Sequence, residues 1–527
     1  MRIYNNIKRL SLAILACGAL TSCSDFLTEN CQKALTEEEI YTDLDYTELN
    51  LQGIYTKWRE CWKDEHFWIP SVGTDEIQSG AYQALKSGAE RGALDKYDAN
   101  LNSLQGKIEQ EWNLRWAQVT AAAKIIRVLN NDDLVVGSKE AQLVGEASFI
   151  RGFLDYELAM YWGRIPTIDL EKILNGELGY GRQSLEDTWK FIIADLERAA
   201  KYTPKENTPG RATCYAAYTI LGKAYMSAPI ETGLRDFNKA KAAFEEVIKG
   251  GFQLVDYADL WDYKITNTKE SIWELQFNVT TDFNQIQFQI GSRAVQSYFG
   301  DQCYFSGYDH AVPTEYAYSD IEDGGLWEEG DIRRDENIRY NFTYYGQTPD
   351  LKNILWEDLG DDHDELKPHI KKYEDFRTDS HSGFDVKNMW KSGKNIPVLR
   401  YADVLLSYAE CLNELGQTAE AVAEVNKVRE RAWEFDLPTE MKWDKGMSQE
   451  DFRTKIMDER MRELFGEKWR KIDLLRTGKF VELTKERNKW TKMNGTIDQH
   501  NIYWPIPDSE IKLNPDITDD DQNEGYR

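Results

Sequence analysis

Apolar residues recur at spacings of three and four over long stretches of this chain, and the stretches come in pairs. One stretch contains Leu143, Ala147, Ile150, Leu154, Leu158 and Tyr161. The same spacing of apolar residues recurs over 185–199, after a capping box formed by Ser184 and Asp187. Further pairs are predicted at 212–225 with 237–248, and at 397–415 with 418–432. Because each apolar stripe must be buried against a neighbour, the pattern predicts a mainly α fold of packed helix pairs.

The last two pairs have the small and large residues of a tetratricopeptide repeat, in which small residues let two helices approach and large ones fill the gaps. The matching positions are Leu221, Gly222, Tyr225, Ala240, Phe244 and Val247 in one pair, and Ala409, Leu412, Ala421, Val425 and Val428 in the other. Any antiparallel helix hairpin needs similar residues, but two matches favour true repeats. The irregular residues 252–396 separate the two pairs, and long irregular segments on a rigid scaffold tend to carry function.

The N-terminus is typical of a bacterial lipoprotein signal. A basic start is followed by an apolar run over 10–20, which is too short to span a bilayer. Small residues then precede Cys23, and polar residues begin directly after it. We therefore expect residues 1–22 to be removed and Cys23 to be acylated. An ordinary secretory signal is the alternative. Cys17 is a weaker acylation candidate, because cleavage before Cys17 would leave too short an apolar run.

Charge limits the partners. Lys and Arg number 64 against 91 Asp and Glu, which gives a net charge of −27. Such a chain is not expected to bind nucleic acid, which is recognised by neutralising phosphates, or to adsorb on anionic lipid. The charge also disfavours highly anionic glycans, although local patches can reverse this.

The cysteines and the motif search indicate no redox or catalytic site. Cys214 and Cys411 lie in apolar helical patterns and are predicted core residues, while one Cys31–Cys61 bridge is possible. No nucleophile elbow, phosphate loop or zinc-protease helix is present. The sequence "DDHDELKPH" at 361–369 is better explained as a solvated acidic loop than as a metal site. We expect no catalytic residue, no metal and no cofactor.

Four stretches, in order, resemble the SusD/RagB family of nutrient-binding lipoproteins of Bacteroidota. They are "LVGEASFIRGFLDYELAMYWGRIP" at 143–166, "NIPVLRYADVLLSYAECLNELG" at 395–416, "ERMRELFGEKWRKIDLLRTGK" at 459–479 and "YWPIPDSEIKLNPDITDDDQNEGYR" at 503–527. The first two could be generic helices, but the last two together are specific. The resemblance spans almost the whole chain after Cys23.

The resemblance implies a fold of four tetratricopeptide-like helix pairs with a large, loop-rich and partly β insertion. It divides the mature chain into an N-terminal part at 23–251 and a C-terminal part at 252–527, which includes the insertion and the last helix pair. It also implies a lipid-anchored protein on the outer face of the outer membrane. Such a protein captures oligosaccharide or polysaccharide and delivers it to a SusC-like TonB-dependent transporter.

The motif at 459–479 is predicted to be structural. Its charged residues alternate in sign at helical and turn spacings, a pattern typical of a buried polar lattice that fixes one packing. The residues concerned are Glu459, Arg460, Glu463, Trp469, Arg470, Asp473 and Arg476.

The ligand site is predicted on two aromatic and polar regions: residues 66–100, and the insertion 252–396 with its stretches 297–310 and 326–346. Aromatic rings cover the flat faces of sugars, and polar side chains bond the hydroxyl groups. In the first region the candidates are Trp68, Asp75, Tyr82 and Tyr97, of which Asp75 resembles the acidic residue that the family places near its ligand. In the second they are Tyr298, Tyr304, Tyr308 and Trp327. Local packing inside the loops is the alternative for each ring.

Three other functions remain open at this point. A peptide-binding member of the same family would share the fold. A surface glycoside hydrolase could hide its carboxylate pair among the many acidic residues. A helical scaffold that binds only protein would leave the aromatic regions unexplained.

Overall fold

The computed structural model describes residues 37–85, 89–167, 180–291, 298–299, 302–303, 307–339, 367–375 and 391–526. Cys23, Cys31 and Tyr304 lie outside these residues. Within the described residues, no helix has the length and apolar character needed to cross a membrane.

The chain is mainly helical. The N-terminal helices are α1 (Glu37–Thr42), α2 (Leu44–Trp58), α3 (Asp64–Trp68), α4 (Ala81–Leu85), α5 (Ala89–Lys96), α6 (Gly106–Leu129), α7 (Lys139–Trp162), α8 (Leu185–Tyr202), α9 (Cys214–Ser227) and α10 (Phe237–Ile248). The middle of the chain adds α11 (Tyr257–Trp261), α12 (Ile286–Ile290), α13 (Glu315–Tyr318) and α14 (Arg333–Asn337). The C-terminal helices are α15 (Tyr401–Glu414), α16 (Thr418–Ala432), α17 (Gln449–Leu464), α18 (Arg470–Arg476), α19 (Phe480–Arg487), α20 (Lys489–Asn494) and α21 (Asp508–Leu513).

In the part of the chain that the structure describes, the strands are short and form four two-stranded antiparallel sheets. They are β1 (Ile77–Ser79), β2 (Ser271–Leu275), β3 (Tyr298–Phe299), β4 (Gln302–Cys303), β5 (Ala311–Pro313), β6 (Ile338–Arg339), β7 (His369–Ile370) and β8 (Ile396–Arg400). The pairs are β1 with β5, β2 with β8, β3 with β4, and β6 with β7. Three of these pairs join segments that are far apart in sequence.

The long helices form one continuous row in which each packs on the next, from α6 through α10. Helix α10 then packs on α15, and α15 on α16, although residues 249–400 lie between the first two in sequence. The predicted close approach within one pair is confirmed at Gly222, where an added Cβ would lie 2.6 Å from the Phe244 ring. The mainly α architecture and the insertion between the last two pairs were therefore predictable.

One predicted boundary was wrong. The sequence predicts a helix from 397, but residues Ile396–Arg400 form strand β8 and the helix begins at Tyr401. The reason is that β8 pairs with β2, a strand from a distant part of the sequence. Cys214 and Cys411 are buried, as predicted, and Cys61 is also buried.

The motif at 459–479 forms the predicted buried lattice. Glu463 lies between Arg333, Arg400 and Arg431, at 3.1, 2.8 and 2.6 Å, and all four side chains are fully buried. Because Arg333 belongs to the insertion, Arg400 ends strand β8 and Arg431 lies on α16, this cluster fixes the insertion on the helix row.

A second carboxylate of the lattice is held charged by its neighbours. Burial alone would raise the pKa of Glu459, but Arg333, Arg429 and Arg462 outweigh burial and lower that pKa to about 2. The carboxylate therefore remains ionised over the whole physiological pH range.

Candidate functional site

Strands β1 and β5 bring the two aromatic regions of the sequence together. Ile77 pairs with Pro313, and Ser79 with Ala311, so residues 66–100 and 307–313 share one surface. The chain before β5 then folds back on α12, because the backbone N–H of Tyr308 donates to the Phe288 carbonyl at 2.9 Å. The predicted meeting of the two regions is thus present in the fold.

The backbones approach closely at this surface. A Cβ added to Gly307 would lie 2.2 Å from the Gly291 carbonyl oxygen, so only glycine fits there. This approach presses the segment that contains Tyr308 against the end of α12.

Three rings are layered from the interior to the surface. Trp68 is buried, and its ring centroid lies 5.4 Å from that of His310. His310 in turn stacks on Tyr308, with a centroid distance of 5.0 Å and an interplanar angle of 19°. Tyr308 is 45% exposed and also contacts Phe288 at 4.4 Å. The layer therefore holds the exposed Tyr308 ring in a fixed orientation.

Arg91 connects this aromatic layer to polar groups. Its guanidinium donates to Gln83 Oε1 and to His310 Nε2, both at 3.0 Å, and to Glu65 Oε2 at 3.0 Å. Glu65 also accepts from Lys107 Nζ at 2.7 Å. Tyr82, which precedes Gln83, is 40% exposed. We call the surface around Tyr308, with His310, Arg91 and Gln83 beneath and beside it, the Tyr308 face.

His310 is neutral on this face. Burial lowers its pKa to about 3, and the positive charges of Arg91 and Lys107 act in the same direction. Since Nε2 accepts from Arg91, Nδ1 carries the proton and donates to Gln289 Oε1. The imidazole thus behaves as a fixed polar spacer beneath Tyr308.

The Tyr308 face combines the two elements that sugar recognition requires. A partly exposed ring can cover a sugar face, and the partly exposed Arg91, Glu65 and Lys107 can exchange hydrogen bonds with hydroxyl groups. Within the described residues, no group of three or more His, Cys, Asp or Glu side chains could hold a metal ion.

Several predicted ligand residues are structural instead. Trp68, Tyr97 and Trp327 are no more than 5% exposed. The Tyr97 hydroxyl donates to the Gly73 carbonyl, and Trp327 Nε1 donates to the Ala317 carbonyl at 2.8 Å. Their rings therefore pack inside the protein, which was the alternative stated for each of them.

Asp75 is also buried. It accepts two hydrogen bonds from Arg470, each at 2.7 Å, and one from Arg487 at 3.1 Å. A carboxylate held in this way has no room for a sugar hydroxyl, so we assign it to the lattice of the 459–479 motif. Asp75 thus connects the first aromatic region to that motif.

The remaining predicted residues have different outcomes. Tyr308 is exposed on the Tyr308 face and Tyr82 is exposed on α4, and both stay candidate ligand residues. Tyr298 lies in β3, whose side chains are not described, and Tyr304 lies outside the described residues. Sequence reasoning missed Gln83, Arg91 and His310; the only available signal was that Gln83 and His310 lie close to Tyr82 and Tyr308, and that Arg91 lies between Tyr82 and Tyr97.

Two family models match the chain. One, described as "Starch-binding associating with outer membrane", matches residues 33–226, and the other, described as "SusD family", matches residues 269–526. SusD-like protein P25 of Formosa agariphila is 26% identical, with all of both chains covered.

Solved structures share the fold. A SusD homolog from Bacteroides thetaiotaomicron has a TM-score of 0.74 at 22% identity, and the match covers 93% of this chain and 98% of that one. Surface glycan-binding protein A of the same organism, solved in complex with laminarihexaose, has a TM-score of 0.70 at 16% identity, with 91% and 99% of the chains covered.

Proposed function

Because the chain belongs to the SusD/RagB family, we propose that it is a non-catalytic glycan-binding lipoprotein of the outer membrane. It captures oligosaccharide or polysaccharide at the cell exterior and delivers it to a SusC-like TonB-dependent transporter. The glycan lies on the Tyr308 face. Glycan binding by a related protein of the same fold, the one solved with laminarihexaose, supports this proposal.

The observation that carries the proposal is the ring layer of Trp68, His310 and Tyr308. Tyr308 is 45% exposed, and its ring is held rigidly above a buried support, so one part of the ring stays open to a ligand. A pre-oriented ring loses little conformational entropy when it binds, which favours affinity for flat ligand faces.

The test is calorimetric titration with the best oligosaccharide from a glycan array, using the chain from residue 24 onward. Tyr308→Ala should weaken binding because it removes the apolar contact with a sugar face. The expected loss is about 1–3 kcal/mol, or roughly ten- to a hundredfold in affinity. Thermal unfolding should change little, since nearly half of the side chain is already exposed.

Tyr46→Ala is the matched control. Tyr46 is 48% exposed on α2, outside the Tyr308 face, and its removal should leave affinity unchanged. Equal affinities for wild type and Tyr308→Ala would reject this face as the binding site. Release of new reducing ends during incubation with glycan would instead favour the hydrolase alternative.

The anchor is tested separately. Cys23 should bear acyl chains in the mature protein, since several chains on one cysteine give stable membrane attachment. Mass spectrometry of the N-terminal peptide would show this, and an unmodified Cys23 would remove the lipid anchor from the proposal.

A further inference from the structure

A basic cavity lies beside β1 and β5 in this strongly acidic protein. Its volume is about 390 Å³, within the range of small-molecule sites. Among the residues that the structure describes, four cationic residues and a single acidic one, Glu315, line it; the cations are Lys367, Arg487, Lys489 and Lys492. Since acidic residues outnumber basic ones by 91 to 64 in the chain, this local excess is the reverse of the overall balance.

Arg487 is fixed in the wall of this cavity. Its guanidinium lies 3.6 Å from the centroid of the Tyr316 ring, and Nη1 donates to Asp75 at 3.1 Å and to Asp458 at 3.3 Å. Its Nε is buried and has no hydrogen-bond partner among the described residues. The guanidinium is therefore held in place beside the cavity by a ring and two carboxylates.

Two lysines of the cavity differ from most surface lysines of the protein in their ion pairing. Lys367 and Lys492 form no ion pair within the part of the chain that the structure describes, whereas many surface lysines here pair with a carboxylate. Like charges that surround one cavity raise its potential and favour an anion inside it.

The rest of the lining suits a sugar better than a bare ion. Tyr318 is half-buried in the wall, and Val312, Pro313 and Pro368 add apolar surface. Gln78 and Val312, which pair across β1 and β5, both line the cavity. Val312 follows Tyr308 by four residues, so their Cα atoms are at most about 14 Å apart. That separation is within the length of a short oligosaccharide.

We propose that this basic cavity binds the acidic group, a carboxylate or a sulfate ester, of a charged glycan. The inference rests on the proposed function, because it assumes that the ligand is a saccharide, and it adds the class of saccharide. It reverses the expectation from net charge, which disfavoured anionic glycans.

The experiment compares two triple variants of the full mature chain. The cavity triple replaces the three lysines of the cavity: Lys367→Gln, Lys489→Gln and Lys492→Gln. It leaves Arg487, which pairs with Asp75 and Asp458, in place. The control triple, Lys190→Gln, Lys427→Gln and Lys512→Gln, makes the same change in net charge at exposed helix positions. Thermal unfolding of both triples checks that each is folded.

Four probes are titrated: oligogalacturonate for carboxylate, a sulfated carrageenan oligosaccharide for sulfate ester, laminarihexaose as a neutral sugar and oligoglutamate as an acidic peptide. The cavity triple should lose roughly tenfold or more in affinity for at least one acidic saccharide, while the control triple keeps it. The saccharide that loses more affinity identifies the acidic group. Added salt should weaken the same interaction in wild type.

Three results would overturn the inference. They are the absence of acidic saccharide binding to wild type, an equal loss in both triples, and tighter binding of oligoglutamate than of either acidic saccharide at this cavity. Binding of laminarihexaose without any acidic saccharide would reject the inference and leave the proposed function intact. If no saccharide binds at all, the proposed function fails as well.

Discussion

At the scale of single residues, buried cations are accommodated in two ways. Lys372 donates to Glu467 at 2.7 Å, so a carboxylate compensates part of its burial. Lys471 lies instead against the Trp504 ring, with Nζ 4.1 Å from its centroid. Burial lowers the pKa of Lys471 to about 7, and the charge of Asp95 opposes this only in part. Lys471 is therefore partly neutral near neutral pH.

This lysine predicts a pH dependence of stability. In the unfolded chain its pKa returns to the ordinary 10.5. Between pH 7 and 10.5 the unfolded state therefore binds a proton that the folded state does not, and the contribution to stability rises with pH. At pH 7 the buried lysine therefore destabilises the folded state. Lys471→Met removes this unfavourable contribution and should stabilise the fold at pH 7 by on the order of a few kcal/mol.

Denaturant unfolding of wild type and Lys471→Met across this pH window measures the effect. The difference between them should shrink as the pH approaches 10.5. A constant difference at every pH would show that Lys471 is not the titrating group.

At the scale of elements, helix α17 connects the parts of the molecule through charge. Arg460 donates to Asp403 at 2.9 Å on α15 and to Asp473 at 2.8 Å on α18. Burial would lower the pKa of Arg460, but the two carboxylates outweigh it and raise that pKa. The lattice therefore fixes three helices in one arrangement.

Arg460→Ala should be strongly destabilising. It leaves the carboxylates of Asp403 and Asp473 buried with fewer partners, and breaking such a cluster typically costs about 3–5 kcal/mol. Arg453→Ala, on the same helix with a side chain that is 42% exposed, is the control and should cost less than about 1 kcal/mol.

Chemical denaturation gives both free energies of unfolding. Glycan affinity of folded Arg460→Ala should match wild type. A normal free energy of unfolding together with lost binding would contradict the structural role of the motif.

At the scale of the whole molecule, periodicity predicted the helix pairs because a stripe of apolar residues depends only on the local chain. The boundary at Arg400 failed because β8 exists only through its pairing with β2. The candidate site could be predicted only in part, because the burial of a side chain also depends on residues distant in sequence. Trp68 and Tyr308 both lie in sequence regions without clean periodicity, and only neighbours distant in sequence determine that the first is buried and the second exposed.

The central claim is that β1–β5 pairing builds a glycan-binding face from two segments distant in sequence. A crystal structure of the mature chain with its best oligosaccharide tests this most directly. We expect a sugar ring against Tyr308, with hydroxyl groups bonded to the Arg91 and Glu65 side chains. A sugar bound on the helix row, away from Tyr82 and Tyr308, would contradict the claim.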